Sequence, residues 1–87
     1  MSGSLDWRDA KYEETYGQEL LGLERRREHD PAFTIEDLEA LLRHLYAMDG
    51  ADWVGRGLLQ DTIMEATIAA HESFLAQWRA MEAKSGD

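Results

Sequence analysis

The chain has 87 residues, and its 18 acidic and 9 basic side chains give a formal net charge of −9. It contains no cysteine, which excludes disulfides and thiolate zinc sites. The acidic balance argues against nucleic-acid and acidic-membrane partners, because binding to phosphate groups needs a basic patch. A single domain of this size has a small stability margin, and a second subunit is the remaining usual means of increasing it.

Localisation and domain limits follow from what the sequence lacks. No uncharged apolar run approaches the ~20 residues that a membrane-spanning helix needs. The first residues have neither the basic region nor the apolar core of a signal peptide. We therefore expect a cytoplasmic protein with one helical domain at 6–83 and flexible tails at 1–5 and 84–87.

The first predicted helix covers about residues 6–28. Four valine and isoleucine residues against eleven leucines and eleven alanines favour helix over strand throughout the chain. Gly17 within this helix marks either a bend or a close contact with another helix, and Pro31 follows its end. One face carries apolar side chains at helical spacing: Tyr12, Tyr16, Leu20 and Leu23.

The second predicted helix covers about residues 35–48 and has the clearest start signal. Thr34 and Asp37 have the spacing of a capping box, in which each side chain accepts a hydrogen bond from the other's backbone N–H. Phe33 and Leu38 have the spacing of a hydrophobic staple. Gly50 is expected to end the helix in a left-handed conformation.

The third predicted helix covers about residues 58–83 and is apolar around much of its circumference, which predicts neighbours on more than one side. We expect an all-α fold, a small three-helix bundle with two long helices and one short helix. Three rows of side chains lie along this helix: Met64, Thr67, His71, Phe74, Trp78 and Met81; Leu59, Ile63, Ala66 and Ala70; Ile68 and Leu75.

The unequal helix lengths, roughly 34, 21 and 39 Å at 1.5 Å per residue, predict uncovered ends. We expect the short helix to cover only the first half of the third helix, up to about His71. Exposed aromatic patches usually mark interfaces, so we expect dimerisation to complete the bundle. A bend at Gly17 that covers the third helix within one chain is the alternative. The predicted interface residues are Trp7, Tyr12, Tyr16, Phe74, Leu75, Trp78 and Met81.

Two further residues are candidates for contact with a ligand or partner. His71 lies on an apolar face and could act as a proton carrier or metal ligand, although a core histidine hydrogen-bonded to a carbonyl or carboxylate is the favoured interpretation. Trp53 could anchor a partner, although filling the open end of the helical core is favoured.

We find no pattern that predicts catalysis, a cofactor or a metal. Asp61 and Glu65 lie four residues apart, but the chain has no Glu-x-x-His pair of the kind that di-metal bundles use. The Gly55-Arg56-Gly57 segment lacks the phosphate-loop pattern. Ser73 and His71 cannot form a nucleophile–base pair, because nearby helix positions point in different directions.

The sequence therefore predicts a non-catalytic, self-associating module for protein–protein interaction, with a homodimer as the expected partnership. The alternative is an acidic, antitoxin-like regulator that binds a basic surface, since the segment 30–52 holds six acidic residues and one basic residue. A third hypothesis is a ligand or metal site between subunits. That site would use His71, Glu65, Glu72 or Tyr46.

Overall fold

A computed structural model describes the backbone of residues 3–51 and 57–85, and the side chains of residues 7–50 and 57–84. The described residues form three helices and no strand. Helix α1 spans Gly3–His29, α2 spans Ile35–Ala51 and α3 spans Leu58–Ser85. The predicted all-α fold, with two long helices and one short helix packed as a small bundle, is confirmed.

The helices extend beyond their predicted limits. Residues 3–5 and 84–85, expected in the flexible tails, belong to α1 and α3. The expected end of α2 at Gly50 is wrong, because the helix continues through this glycine to Ala51. Glycine permits a left-handed stop but does not require one, since it keeps the backbone N–H that a helix uses.

Helices α1 and α3 run parallel to each other, and α2 runs antiparallel to both. Arg8 Nε donates to Thr62 Oγ1 at 3.0 Å near the start of the α1–α3 pair. Tyr16 Oη donates to Ser73 Oγ at 2.7 Å farther along. The α2–α3 contacts run in the reverse order along the chain: Glu39 contacts Arg79, and Tyr46, later in α2, contacts Glu72, earlier in α3. Helix α3 packs against both other helices.

The connection between α1 and α2 is held by local hydrogen bonds around Asp30 and Thr34. Asp30 Oδ1 accepts from the backbone N–H of Ala32 at 3.1 Å, and the Asp30 carbonyl accepts from that of Phe33 at 3.0 Å. The predicted capping box is present: Asp37 Oδ2 accepts from Thr34 N at 3.0 Å, and Thr34 Oγ1 accepts from Asp37 N at 3.2 Å. These bonds direct Phe33 into the core.

Five buried side chains of α3 form a row spaced four residues apart, with small side chains in its first part and large ones in its second. Rows of this spacing pack between the side chains of a neighbouring helix. The small members allow the α1 backbone to come close, and the large members fill the space where α2 joins the pair. In order, the buried row is Thr62, Ala66, Ala70, Phe74 and Trp78.

The last two side chains of this row, Phe74 and Trp78, lie at the centre of an aromatic core. The Trp78 ring centroid lies 5.6 Å from that of Phe33 and 5.8 Å from that of Phe74. The guanidinium of Arg26 lies 4.3 Å from the Phe33 ring centroid, and that of Arg27 lies 5.0 Å from the Trp78 ring centroid. Arginines near the end of α1 therefore cover the core rings through cation–π contacts.

The prediction that the second half of α3 is left uncovered within one chain is wrong. We expected α2 to cover the first half of α3, but its contacts with Glu72 and Arg79 place it beside the second half. Phe74, Leu75 and Trp78 are consequently 3%, 8% and 7% exposed within one chain. The expectation failed because the length of a connection does not determine how far along α3 the short helix packs.

The alternative bend at Gly17 is not needed to bury these residues, since α1 is one continuous helix through this position. A Cβ atom built on Gly17 or on Gly22 would meet no neighbouring atom within 4 Å. Neither glycine is therefore required by a close contact within the chain.

Replacing Gly17 or Gly22 with alanine should stabilise the protein by about 1 kcal/mol each, because alanine loses less backbone entropy in a helix and fits here without a clash. Urea unfolding followed by circular dichroism would measure the change. Gln18→Ala, at an exposed position on the same helix, should change stability by less than about 0.5 kcal/mol. A loss of stability in both glycine variants would contradict the assignment of these sites as open helix surface.

Candidate functional site

Helix α2 is too short to accompany the α1–α3 pair along its whole length. Tyr46 lies opposite Glu72, and α2 ends five residues later at Ala51, so its antiparallel course takes it to about the level of Thr67. Two segments lie beyond the level that α2 reaches: residues 58–66 of α3 and, beside them, residues 3–12 of α1. We call these two segments the N-terminal end.

The N-terminal end carries large apolar side chains that the chain leaves exposed. Trp7 is 40% exposed, Leu58 is 52% exposed and Leu59 is 48% exposed. Trp7 was predicted to be an interface residue, whereas Leu58 and Leu59 were not, and Leu59 was placed in a row with Ile63, Ala66 and Ala70. The parallel direction of α1 and α3 was the missing information, because it brings the starts of both helices to the same end.

Tyr12 and Tyr16, also predicted at the interface, are half-buried against their own chain. Their rings stack with centroids 6.4 Å apart and an angle of 11° between the ring planes. Both rings line an open groove together with Glu13. The Tyr16 hydroxyl is occupied by its bond to Ser73, so this residue joins α1 to α3 within one chain.

The other predicted interface residues lie at the opposite end of the α1–α3 pair. Phe74, Leu75 and Trp78 belong to the core and offer almost no surface to a partner. Met81 is 48% exposed, and its sulfur accepts a hydrogen bond from Arg27 Nη1 at 3.5 Å. The structure therefore does not bring the seven predicted interface residues together on one surface.

His71 is a buried histidine held by its own helix. Its Nδ1 lies 2.8 Å from the carbonyl oxygen of Thr67, to which it donates when this nitrogen carries the proton. This geometry is that of the favoured interpretation, a core histidine bonded to a carbonyl. Trp53, the other candidate for a ligand or partner contact, lies outside the described residues, as do Gly55 and Arg56.

The candidate metal-binding carboxylates do not converge. Glu65 Oε1 lies 3.7 Å from Arg8 Nη2, an ion pair that links α3 to α1 rather than to a neighbouring carboxylate. Within residues 7–50 and 57–84, no group of three or more histidine, aspartate or glutamate side chains could hold a metal ion. Asp61 and Glu65 therefore form no metal site with their described neighbours.

Three of the six acidic side chains in segment 30–52 make contacts within the chain. Asp30 and Asp37 accept hydrogen bonds from backbone N–H groups at the start of α2. Glu39 pairs with Arg79 of α3. These three acids are consequently part of the turn, the helix cap and the α2–α3 contact.

Tyr46 of α2 is hydrogen-bonded to Glu72 of α3, and this contact shifts the pKa of the tyrosine. The hydrogen bond from the Tyr46 hydroxyl to the Glu72 carboxylate raises the pKa of the tyrosine above its ordinary value of 10.0. Burial and the negative charge of Glu72 raise this pKa further. Both residues are exposed, so the pair adds a surface link between α2 and α3.

Because the pKa of Tyr46 is higher in the folded chain than in the unfolded chain, its contribution to stability is present below pH 10 and is lost as the pH rises through the folded value. Phenolate absorbance should show one of the three tyrosines ionising later than the others. In Glu72→Ala that tyrosine should return towards its ordinary pKa. In Glu82→Ala, which removes the same charge from exposed α3 surface, the late ionisation should remain, and its loss there would contradict the assignment.

Two further findings concern membrane crossing and similarity to known proteins. None of the three described helices combines the length and the apolar character that crossing a membrane requires. Comparison with protein-family models, with curated proteins and with solved structures found no match to this chain.

Proposed function

We propose that this chain is a non-catalytic helical module for protein–protein interaction, and that it associates with itself. The observation that supports this proposal is the elongated form of the chain. The radius of gyration is 15.0 Å and the extents are 50 × 30 × 22 Å. A compact domain of this length has a radius of gyration of about 12 Å. One copy therefore leaves more surface uncovered than a closed bundle of the same size.

The exposed apolar side chains support this proposal. Small domains have little core from which to draw stability, and covering exposed apolar surface in a second subunit adds to it. Seven large apolar side chains of the described residues are more than about a third exposed: Trp7, Leu21, Tyr46, Met48, Leu58, Leu59 and Met81.

The hydroxyl and imidazole groups considered for catalysis support the non-catalytic part of the proposal. Ser73 Oγ accepts a hydrogen bond from Tyr16, and His71 contacts the backbone of its own helix. These groups make structural contacts rather than a nucleophile–base pair, which would need a hydrogen bond between them. A cytoplasmic location is part of the proposal and rests on the sequence alone.

The acidic regulator is the second candidate, and the formal charge of −9 is the observation that favours it. It ranks below self-association because Asp30, Asp37 and Glu39 make contacts within the chain. The ligand or metal site between subunits ranks third. Of its four candidate residues, Glu65 pairs with Arg8 and Glu72 accepts from Tyr46, so the site would have to break both contacts.

Sedimentation equilibrium over a range of protein concentrations tests the proposal. The average mass should rise from that of one chain towards twice that value, and the rise should be stronger at high salt. Two copies of charge −9 repel each other, and salt screens this repulsion without weakening apolar contact. Binding to a basic partner would show the opposite salt dependence. A single-chain mass up to near-millimolar concentration at both salt levels would contradict self-association.

A further inference from the structure

We propose that an open groove on α1 binds the guanidinium group of an arginine side chain that a partner protein supplies. The groove is lined by Tyr12, Glu13 and Tyr16, and we call it the tyrosine groove. The inference goes beyond self-association, since it concerns a partner other than a second copy of this chain. Neither proposal depends on the other.

The two tyrosine rings are the first argument, because they provide an aromatic surface that is already ordered. Their planes differ by 11° and their centroids lie 6.4 Å apart, so both ring faces are turned in nearly the same direction. The hydroxyl of Tyr16 donates to Ser73 Oγ at 2.7 Å, which holds this ring against α3. An ordered surface loses little conformational freedom when it binds a ligand.

The carboxylates beside the rings are the second argument. Glu13 lines the tyrosine groove, and Asp9 lies one helical turn before it on the same side of α1. The described side chains form no hydrogen bond or ion pair with either carboxylate. Lys11, two residues before Glu13, lies 3.2 Å from Glu14 instead. The negative charge next to the aromatic faces therefore has no cation among the side chains that the structure describes.

An arginine side chain matches the rings and the carboxylates at once. Its guanidinium is planar and weakly hydrated, stacks on aromatic faces and donates two parallel hydrogen bonds to a carboxylate. The ammonium of lysine is compact and strongly hydrated, so it gains less from a ring face. The Arg26 guanidinium, 4.3 Å from the Phe33 ring centroid, is an example of such a contact within this fold.

The size of the tyrosine groove and the charge of the chain fit a single cationic side chain. The groove has a volume of about 340 Å³, near the lower limit of the range for ligand sites. The formal net charge of −9 attracts a basic partner at longer range. Contacts to exposed rings and carboxylates are individually weak, so we expect one arginine side chain to bind with a dissociation constant of roughly 1–30 mM.

Nuclear magnetic resonance titration of the full chain tests the site. The ligand used is N-acetyl-arginine amide, which presents an arginine side chain without terminal charges. The ring signals of Tyr12 and Tyr16 should shift and saturate. N-acetyl-citrulline amide has nearly the same shape without the charge, and it should give no saturating shift. N-acetyl-lysine amide has the same charge without the planar group, and it should bind at least about threefold more weakly.

Two substitutions test the residues that form the site. Glu13→Gln and Tyr12→Leu should each raise the dissociation constant for the arginine compound by about threefold, since one removes the carboxylate and the other an aromatic face. Glu82→Gln is the matched control for charge, because Glu82 is exposed near the end of α3, and it should leave this constant nearly unchanged. Circular dichroism shows whether each variant keeps its fold. Glu13 is exposed, so Glu13→Gln remains informative if Tyr12→Leu unfolds.

Three results would overturn the proposal. Equal affinity for the arginine and lysine compounds, or equal loss of affinity in Glu13→Gln and Glu82→Gln, would mean that the compounds respond to the net charge rather than to the tyrosine groove. The absence of saturating shifts at the tyrosine rings would mean that the groove binds no guanidinium. Self-association would stand after any of these results, because sedimentation equilibrium of the unchanged chain tests it separately.

Discussion

The close approach of α1 to α3 over Thr62, Ala66 and Ala70 is the contact on which the rest of the structure depends. These side chains are buried, and Ala66 and Ala70 have no exposed surface at all. Small residues at a helix contact leave no space for larger groups, so any added volume must separate the helices. The hydrogen bond from Arg8 to Thr62 and the one from Tyr16 to Ser73 lie along the same contact.

The position of α2 follows from the change to large side chains farther along α3. Where Phe74 and Trp78 replace the alanines, the space beside α3 admits Phe33 and the apolar face of α2. The short helix packs against this half, so that α1 and α3 are the described helices of the N-terminal end. The position of α2 is therefore a consequence of where the aromatic residues lie in the row.

Much of the fold could be predicted from the sequence, because the signals involved are local. The capping box at Thr34 and Asp37 placed the start of α2, and helical spacing identified all three helices. The part of α3 against which α2 packs could not be predicted in the same way. Residue spacing on α3 does not reveal which half α2 covers, so Trp78, which the chain itself buries, was predicted at a subunit interface.

The stability of Ala66→Leu, compared with that of Ala76→Leu, tests the central contact most directly. Both substitutions add the same side chain to α3, but Ala66 is fully buried and Ala76 is exposed. Urea unfolding should show that Ala66→Leu loses about 1–3 kcal/mol or more from overpacking, whereas Ala76→Leu changes stability by less than about 0.5 kcal/mol. Equal stability of the two variants would contradict a close α1–α3 contact at Ala66.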